Sequence, residues 1–125
     1  MQLGGPLSHR IVLQSRIFLI IFLNFILGSV ILHQLSLSYD LDFFILFSSI
    51  AGVVGNLGQL AYSAANSFLD SLCDFRRKKL GLTALSVAWG TMAGAGILER
   101  SKDIASLFQS YGFRMMSCKQ GEIIL

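Results

Sequence analysis

The chain has 125 residues, of which 54% are hydrophobic and 14% charged, with a mean hydropathy of +0.66 and a formal net charge of +3. That length suits one domain with a real core better than two independent ones, and the composition is too apolar for a disordered chain. The basic residues form no stripe with interleaved aromatics, which argues against nucleic-acid binding, and Cys73 and Cys118 have neither the number nor the spacing of a disulfide framework or a zinc site.

Residues 1–16 contain Gly4, Gly5, the only proline, Pro6, and then His9, Arg10 and Arg16, the pattern of a mildly basic loop. Residues 17–32 follow without a charge, interrupted by Asn24, Gly28 and Ser29. A bilayer-spanning helix wants about 20 apolar residues and a signal peptide an apolar region of about 7–15, so this segment matches neither length well. Two readings stand at this point. One is a buried helix or a disrupted stretch of a larger domain; the other is an anchor or signal on a small membrane-anchored or secreted binding protein.

Residues 41–47, LDFFILF, form a short apolar and aromatic run that stops at Ser48 and Ser49, which predicts a parallel strand buried on both faces. Gly52, Gly55 and Gly58 then mark a loop; spaced three apart, they do not make a G-x-G-x-x-G phosphate cradle. Over 59–79, Ala61, Ala65, Phe68, Leu72 and Phe75 recur every three or four residues as the apolar stripe of a helix. Arg76, Arg77, Lys78 and Lys79 suit its carboxyl end as a solvated basic tip, and Gly81 is placed to cap it. Residues 82–89 read as a second buried strand, so the order is a right-handed βαβ unit. A short amphipathic helix is expected over 101–108.

In an open parallel sheet, ligands lie beyond the carboxyl ends of the strands. Ser48 and Ser49 occupy one such end. Tyr62 and Asn66, four apart on the intervening helix, share a face. A serine hydroxyl, a phenol and an amide meeting in one crevice suit carbonyl reduction: one donor polarises the oxygen, the tyrosine supplies a proton, and the amide orders water. Singly, each of these residues has a plain structural explanation; their joint spacing is what favours chemistry.

Residues 41–90 carry FSS-x-AG, GQ-x-x-Y-x-x-x-N, FLD-x-L, an Arg pair before GL, and a closing AWG. In this they resemble the ketoreductase domains of modular polyketide synthases and animal-type fatty acid synthases, members of the short-chain dehydrogenase/reductase superfamily. Weaker similarity extends the resemblance over about residues 28–125, leaving 1–27 as a divergent apolar segment. The resemblance implies an α/β fold, a partial Rossmann-like, doubly wound parallel sheet of which only the second half is present, with an apolar helix ahead of it. It implies Ser49, Tyr62 and Asn66 as catalytic residues, Ser48 as support for the turn, and Trp89, Gly90 and Thr91 beside the nicotinamide, although the family commonly has proline where this chain has Thr91. The implied cofactor is NADPH, the implied substrate a β-ketoacyl thioester on an acyl carrier protein, the implied location cytoplasmic.

Two departures accompany the match. The family's catalytic lysine lies three residues ahead of the glycine matching Gly28, and Phe25 stands there. Phenylalanine can neither hold a cofactor ribose nor lend the positive charge that makes a phenol an effective proton donor near neutrality. No glycine fingerprint following a strand precedes Leu41, so the pyrophosphate-binding half is missing. The expectation is therefore a ketoreductase fragment without turnover alone, whose unfinished sheet invites a partner chain.

Overall fold

The computed structural model describes Arg16 and residues 18–56, 59–93, 110, 112 and 114–122; the helix expected over 101–108 lies outside them. The chain divides into two compact units, Met1–Ala88 and Trp89–Leu125.

In the first unit, helix α1 spans Phe18–Ser36 and contains a widened π-helical stretch, Phe22–Leu27. Side chains serve its carbonyls: Asn24 Nδ2 donates to Ile20 O at 2.7 Å and Ser29 Oγ to Ile26 O at 2.9 Å. Strand β1 (Ile45–Ser49) is followed by a single helical turn, α2 (Ala51–Val54), and by the long helix α3 (Leu60–Leu80). Strand β2 (Leu85–Trp89) pairs with β1, the Leu85 N–H donating to Phe44 O at 2.8 Å. Helix α3 ends at Gly81, whose φ of 66° lies in the left-handed region that a side chain disfavours. The fold is α/β with a parallel sheet, as expected, and among the described residues the sheet of this unit has two strands.

The core gathers Leu46 of β1, Leu69, Leu72 and Cys73 of α3, and Ala84, with Phe25, Phe44 and Phe68 against them. Phe68 and Leu72 come from the expected stripe of α3, whereas Leu69 and Cys73 take the inward place expected of Phe75, which is exposed. Burial holds the Cys73 thiol above its ordinary pKa, which fits a core residue.

Three expectations are corrected. Strand β1 is buried on one face only: Leu46 and Ser48 point inward while Ile45 and Phe47 are exposed, the alternation of a strand covered by helices on a single side. The apolar N-terminal segment is helical but not buried, with only 6% of its most apolar window inside the unit. The glycine loop after β1 begins with the turn of α2, which holds Gly52.

In the second unit, β3 (Met92–Ala93) pairs in parallel with β4 (Met116–Ser117), and helix α4 (Cys118–Glu122) follows. Gly121 is buried, and a Cβ there would stand 3.2 Å from the Trp89 ring and from the end of Met92.

Candidate active site

Strand β1 delivers Ser48 and Ser49 to its carboxyl end, and the alternation of a strand sends them different ways. Ser48 is inward and buried; its Oγ donates to the backbone carbonyl of Asn66 at 3.2 Å. Ser49 is half-buried, and its Oγ accepts the Ala51 N–H at 3.2 Å, turning the chain into α2. Gly52, three residues after Ser49, lies so close to α3 that a Cβ would stand 2.8 Å from Ser67 N and 3.0 Å from the carbonyl carbon and Cβ of Asn66. A hydrogen bond and an atomic contact thus fasten the end of β1 to the middle of the first half of α3.

Tyr62 and Asn66 sit one turn apart on that stretch. Asn66 is only 1% exposed, and its Nδ2 donates to the Tyr62 backbone carbonyl at 2.8 Å. The amide thereby serves the helix that carries the phenol. Tyr62 is half-buried and meets Phe25 edge to face, with ring centroids 5.9 Å apart and planes at 77°. Phe25 therefore reaches the tyrosine, as the resemblance requires of a lysine there, and brings a hydrocarbon ring instead of a cation. Ahead of α3, Asn56 Nδ2 donates to Gln59 Oε1 at 2.9 Å, which steadies the entry to the helix.

Trp89, Gly90 and Thr91 lie in the second unit. The Thr91 hydroxyl donates to Arg114 O at 3.5 Å and its carbonyl accepts the Met116 N–H at 2.8 Å, so Thr91 takes part in joining 89–93 to 114–117. Among the described residues no group of three or more His, Cys, Asp or Glu could hold a metal ion.

One polar cluster was misread in the sequence. Arg76 belongs by composition to the solvated basic tip, yet it is 2% exposed. Its Nη1 lies 2.8 Å from His33 Nδ1 and donates to Ser36 Oγ at 2.8 Å, and its guanidinium carbon stands 3.9 Å over the Phe44 ring. Its Nε, also buried, makes no hydrogen bond. His33 is held below its ordinary pKa by burial and by the Arg76 charge. The cluster ties α1 to α3 and to the residue before β1. Its only signal in the sequence is that Arg76 follows Cys73, Leu72 and Leu69 on the inward face. Arg77 and Lys78 do form the exposed tip, both on Asp74, at 2.5 and 2.6 Å.

A family model described as KR domain matches residues 25–94. Among curated relatives, a highly reducing polyketide synthase, lcsB, of Purpureocillium lilacinum is 45% identical over 85 residues, 68% of this chain and 3% of that protein. Probable polyketide synthase 17 of Dictyostelium discoideum is 41% identical over 92 residues, 72% of this chain and 4% of that one. Of solved structures, an A-type ketoreductase from a modular polyketide synthase superposes with a TM-score of 0.65 at 44% identity, covering 71% of this chain and 18% of that one. A ketoreductase domain from the bacillaene assembly line gives a TM-score of 0.68 at 30% identity, covering 78% and 24%. This chain therefore spans a few per cent of the curated relatives' length and about a fifth of the solved ketoreductases. With its strand end, its tyrosine-bearing helix and these matches in one register, the chain belongs to the KR domain family of polyketide synthases.

Proposed function

We propose that residues 28–125 are the carbonyl-reducing half of a β-ketoacyl reductase domain of a cytoplasmic polyketide or fatty acid synthase, and that the chain alone does not turn over. The reading rests on one observation above the others: the Ser48 hydroxyl and the tight seat of Gly52 fasten the end of β1 to the helix turn that carries Tyr62 and Asn66. In the proposed chemistry Ser49 and Tyr62 hold the carbonyl oxygen of a β-ketoacyl thioester borne on an acyl carrier protein. Ser49 Oγ accepts from Ala51, which leaves its own hydrogen to be donated to that oxygen. The Tyr62 phenol gives its proton as the carbonyl becomes an alcohol. Asn66, bonded to the Tyr62 carbonyl, keeps that turn of α3 in place.

The reduction needs a hydride, which NADPH supplies when bound. The described residues fit it poorly. Gly52 is filled by helix packing, Phe25 offers no donor to a ribose, and the Thr91 hydroxyl is engaged by Arg114. On this reading the chain contributes Ser49, Tyr62 and Asn66 on the carbonyl side, with Phe25 against Tyr62 in place of the cation that would make the phenol an effective donor. The test is NADPH oxidation with a β-ketoacyl thioester. The expected rate equals that of a Tyr62→Phe control; a rate that depends on Tyr62 overturns the claim of inactivity.

A second reading is favoured by α1, which is long and apolar enough to cross a membrane, with a mean hydropathy of 2.1 over its most apolar window. On that reading Phe18–Ser36 anchors a small binding protein. Recovery of the expressed chain in the soluble fraction, with none in washed membranes, removes it.

A further inference from the structure

The apolar contacts that dock α1 on the rest of its unit are sparse. The buried core is made by Leu46, Leu69, Leu72, Cys73 and Ala84, and α1 sends Phe25 alone against it. Ser29 is the buried residue of α1, and its hydroxyl serves its own helix at the Ile26 carbonyl. An open groove of about 230 Å³, lined by Phe25, Gly28, Ser29 and Leu32 with Leu46 and Leu69, runs along the inner side of the helix. An element with few buried contacts opens at a lower cost than the core beneath it.

The carboxyl end of α1 is held by polar contacts instead. Arg76 Nη1 meets His33 Nδ1 and Ser36 Oγ, each at 2.8 Å, and the Phe75 ring stands edge to face against the imidazole, with centroids 6.2 Å apart and planes at 85°. A guanidinium has donors and no acceptor, so the bond to Nδ1 exists only while that nitrogen carries no proton. A proton taken from solvent at Nδ1 would set N–H against N–H and one cation against another. The surrounding groups do not offset that charge. Helix α1 carries no charged residue between Phe18 and Ser36, and β1 has no titratable one. In the segment between them, Tyr39, Asp40 and Asp42 are exposed. On α3, Asp70 accepts the Ser86 hydroxyl, Asp74 is engaged by Arg77 and Lys78, Lys79 is exposed, and Cys73 is a buried thiol.

We infer that His33 and Arg76 form a latch operated by pH: the neutral imidazole docks α1 on α3, and uptake of one proton releases α1 while β1, β2 and α3 stay folded. The released helix returns His33 to the ordinary imidazole range near about 6.5, whereas burial and Arg76 hold it lower in the docked state. Below that value the ratio of released to docked α1 rises by up to about tenfold per pH unit, until the docked pKa is passed. Phe25 leaves Tyr62 with the helix; what that means for catalysis rests on the proposed function, and the latch itself does not.

The experiment is amide hydrogen exchange of the full chain, read by mass spectrometry at about pH 7.5 and 5.5, with labelling times scaled to cancel the intrinsic effect of pH. Wild-type peptides within Phe18–Ser36 should lose protection several-fold, up to about tenfold, at the lower pH, while those of Leu60–Leu80 keep theirs. His33→Gln keeps an acceptor for Arg76 that no proton can claim in this range, and its α1 should be equally protected at both values. Should α1 of that variant be open already at pH 7.5, Arg76→Met decides in its place, since removal of the second cation should abolish most of the pH dependence. Four results overturn the inference: wild-type α1 open already at pH 7.5, α1 equally protected at both values, α1 and α3 losing protection together, or the deciding variant responding as the wild type does. Loss of α1 protection at pH 7.5 in both variants also overturns it, because glutamine preserves the acceptor on which the latch depends. None of these readouts involves NADPH or a thioester, so the latch and the proposed chemistry fail separately.

Discussion

At the scale of single residues, two contacts carry most of the site's geometry. Gly52 faces backbone atoms of Asn66 and Ser67, which cannot swing aside as a flexible side chain would. Gly52→Ala should therefore cost about 1–3 kcal/mol, read as a lower urea midpoint, by forcing α2 away from α3. An unchanged midpoint would show that the seat is looser than the contact implies. His33 gives a second prediction. Accepting from the Arg76 guanidinium requires a neutral imidazole, and the histidine's pKa is lowered by burial first and by that charge second. The unfolded chain then takes up the proton first as pH falls below about 6.5. Stability from this group is complete above that value and is lost downward until the folded pKa is passed. Between about pH 7.5 and 5.5, the wild-type urea midpoint should fall further than that of His33→Gln. Equal falls would mean that other groups set the acid limit.

At the scale of elements, α1 is held to the rest of its unit by polar as well as apolar contacts. Arg76 reaches from α3 to His33 and Ser36 of α1 and lies over Phe44, with no carboxylate in the cluster. A buried cation with an unpartnered Nε is a poor source of stability and a good source of a specific helix position. Arg76→Met keeps the volume and the contact with Phe44 while removing the charge; Arg76→Ala opens a cavity and frees both polar partners. Methionine should cost less than alanine by about 1–3 kcal/mol, checked by chemical unfolding, and the reverse order would show that the charge itself is stabilising. The helix over 59–79, its glycine cap and the strand after it were legible in the sequence because three- and four-residue spacing and a positive-φ glycine are local properties. That Arg76 turns inward was not, because its partners lie 40 and 43 residues away.

At the scale of the whole molecule, the exposed apolar side chains fall where a larger α/β domain would have neighbours: Leu19, Leu23 and Leu32 on α1, and Phe43, Ile45 and Phe47 at β1. An apolar surface of this kind marks an interaction site more often than a solvated face.

The amino-acid sequence by itself determined the membership of the family, the βαβ order and the identity of the candidate residues Ser49, Tyr62 and Asn66, since each depends on short-range spacing and residue type. Only the tertiary structure decided that Ser48 bonds the Asn66 carbonyl, that Phe25 lies edge-on to Tyr62, that β1 is covered on one face, and that the apolar helix lies open along a groove. Those outcomes depend on which distant segments meet. Hydrophobicity along a chain says how strongly a surface prefers to be covered; it does not say what covers it.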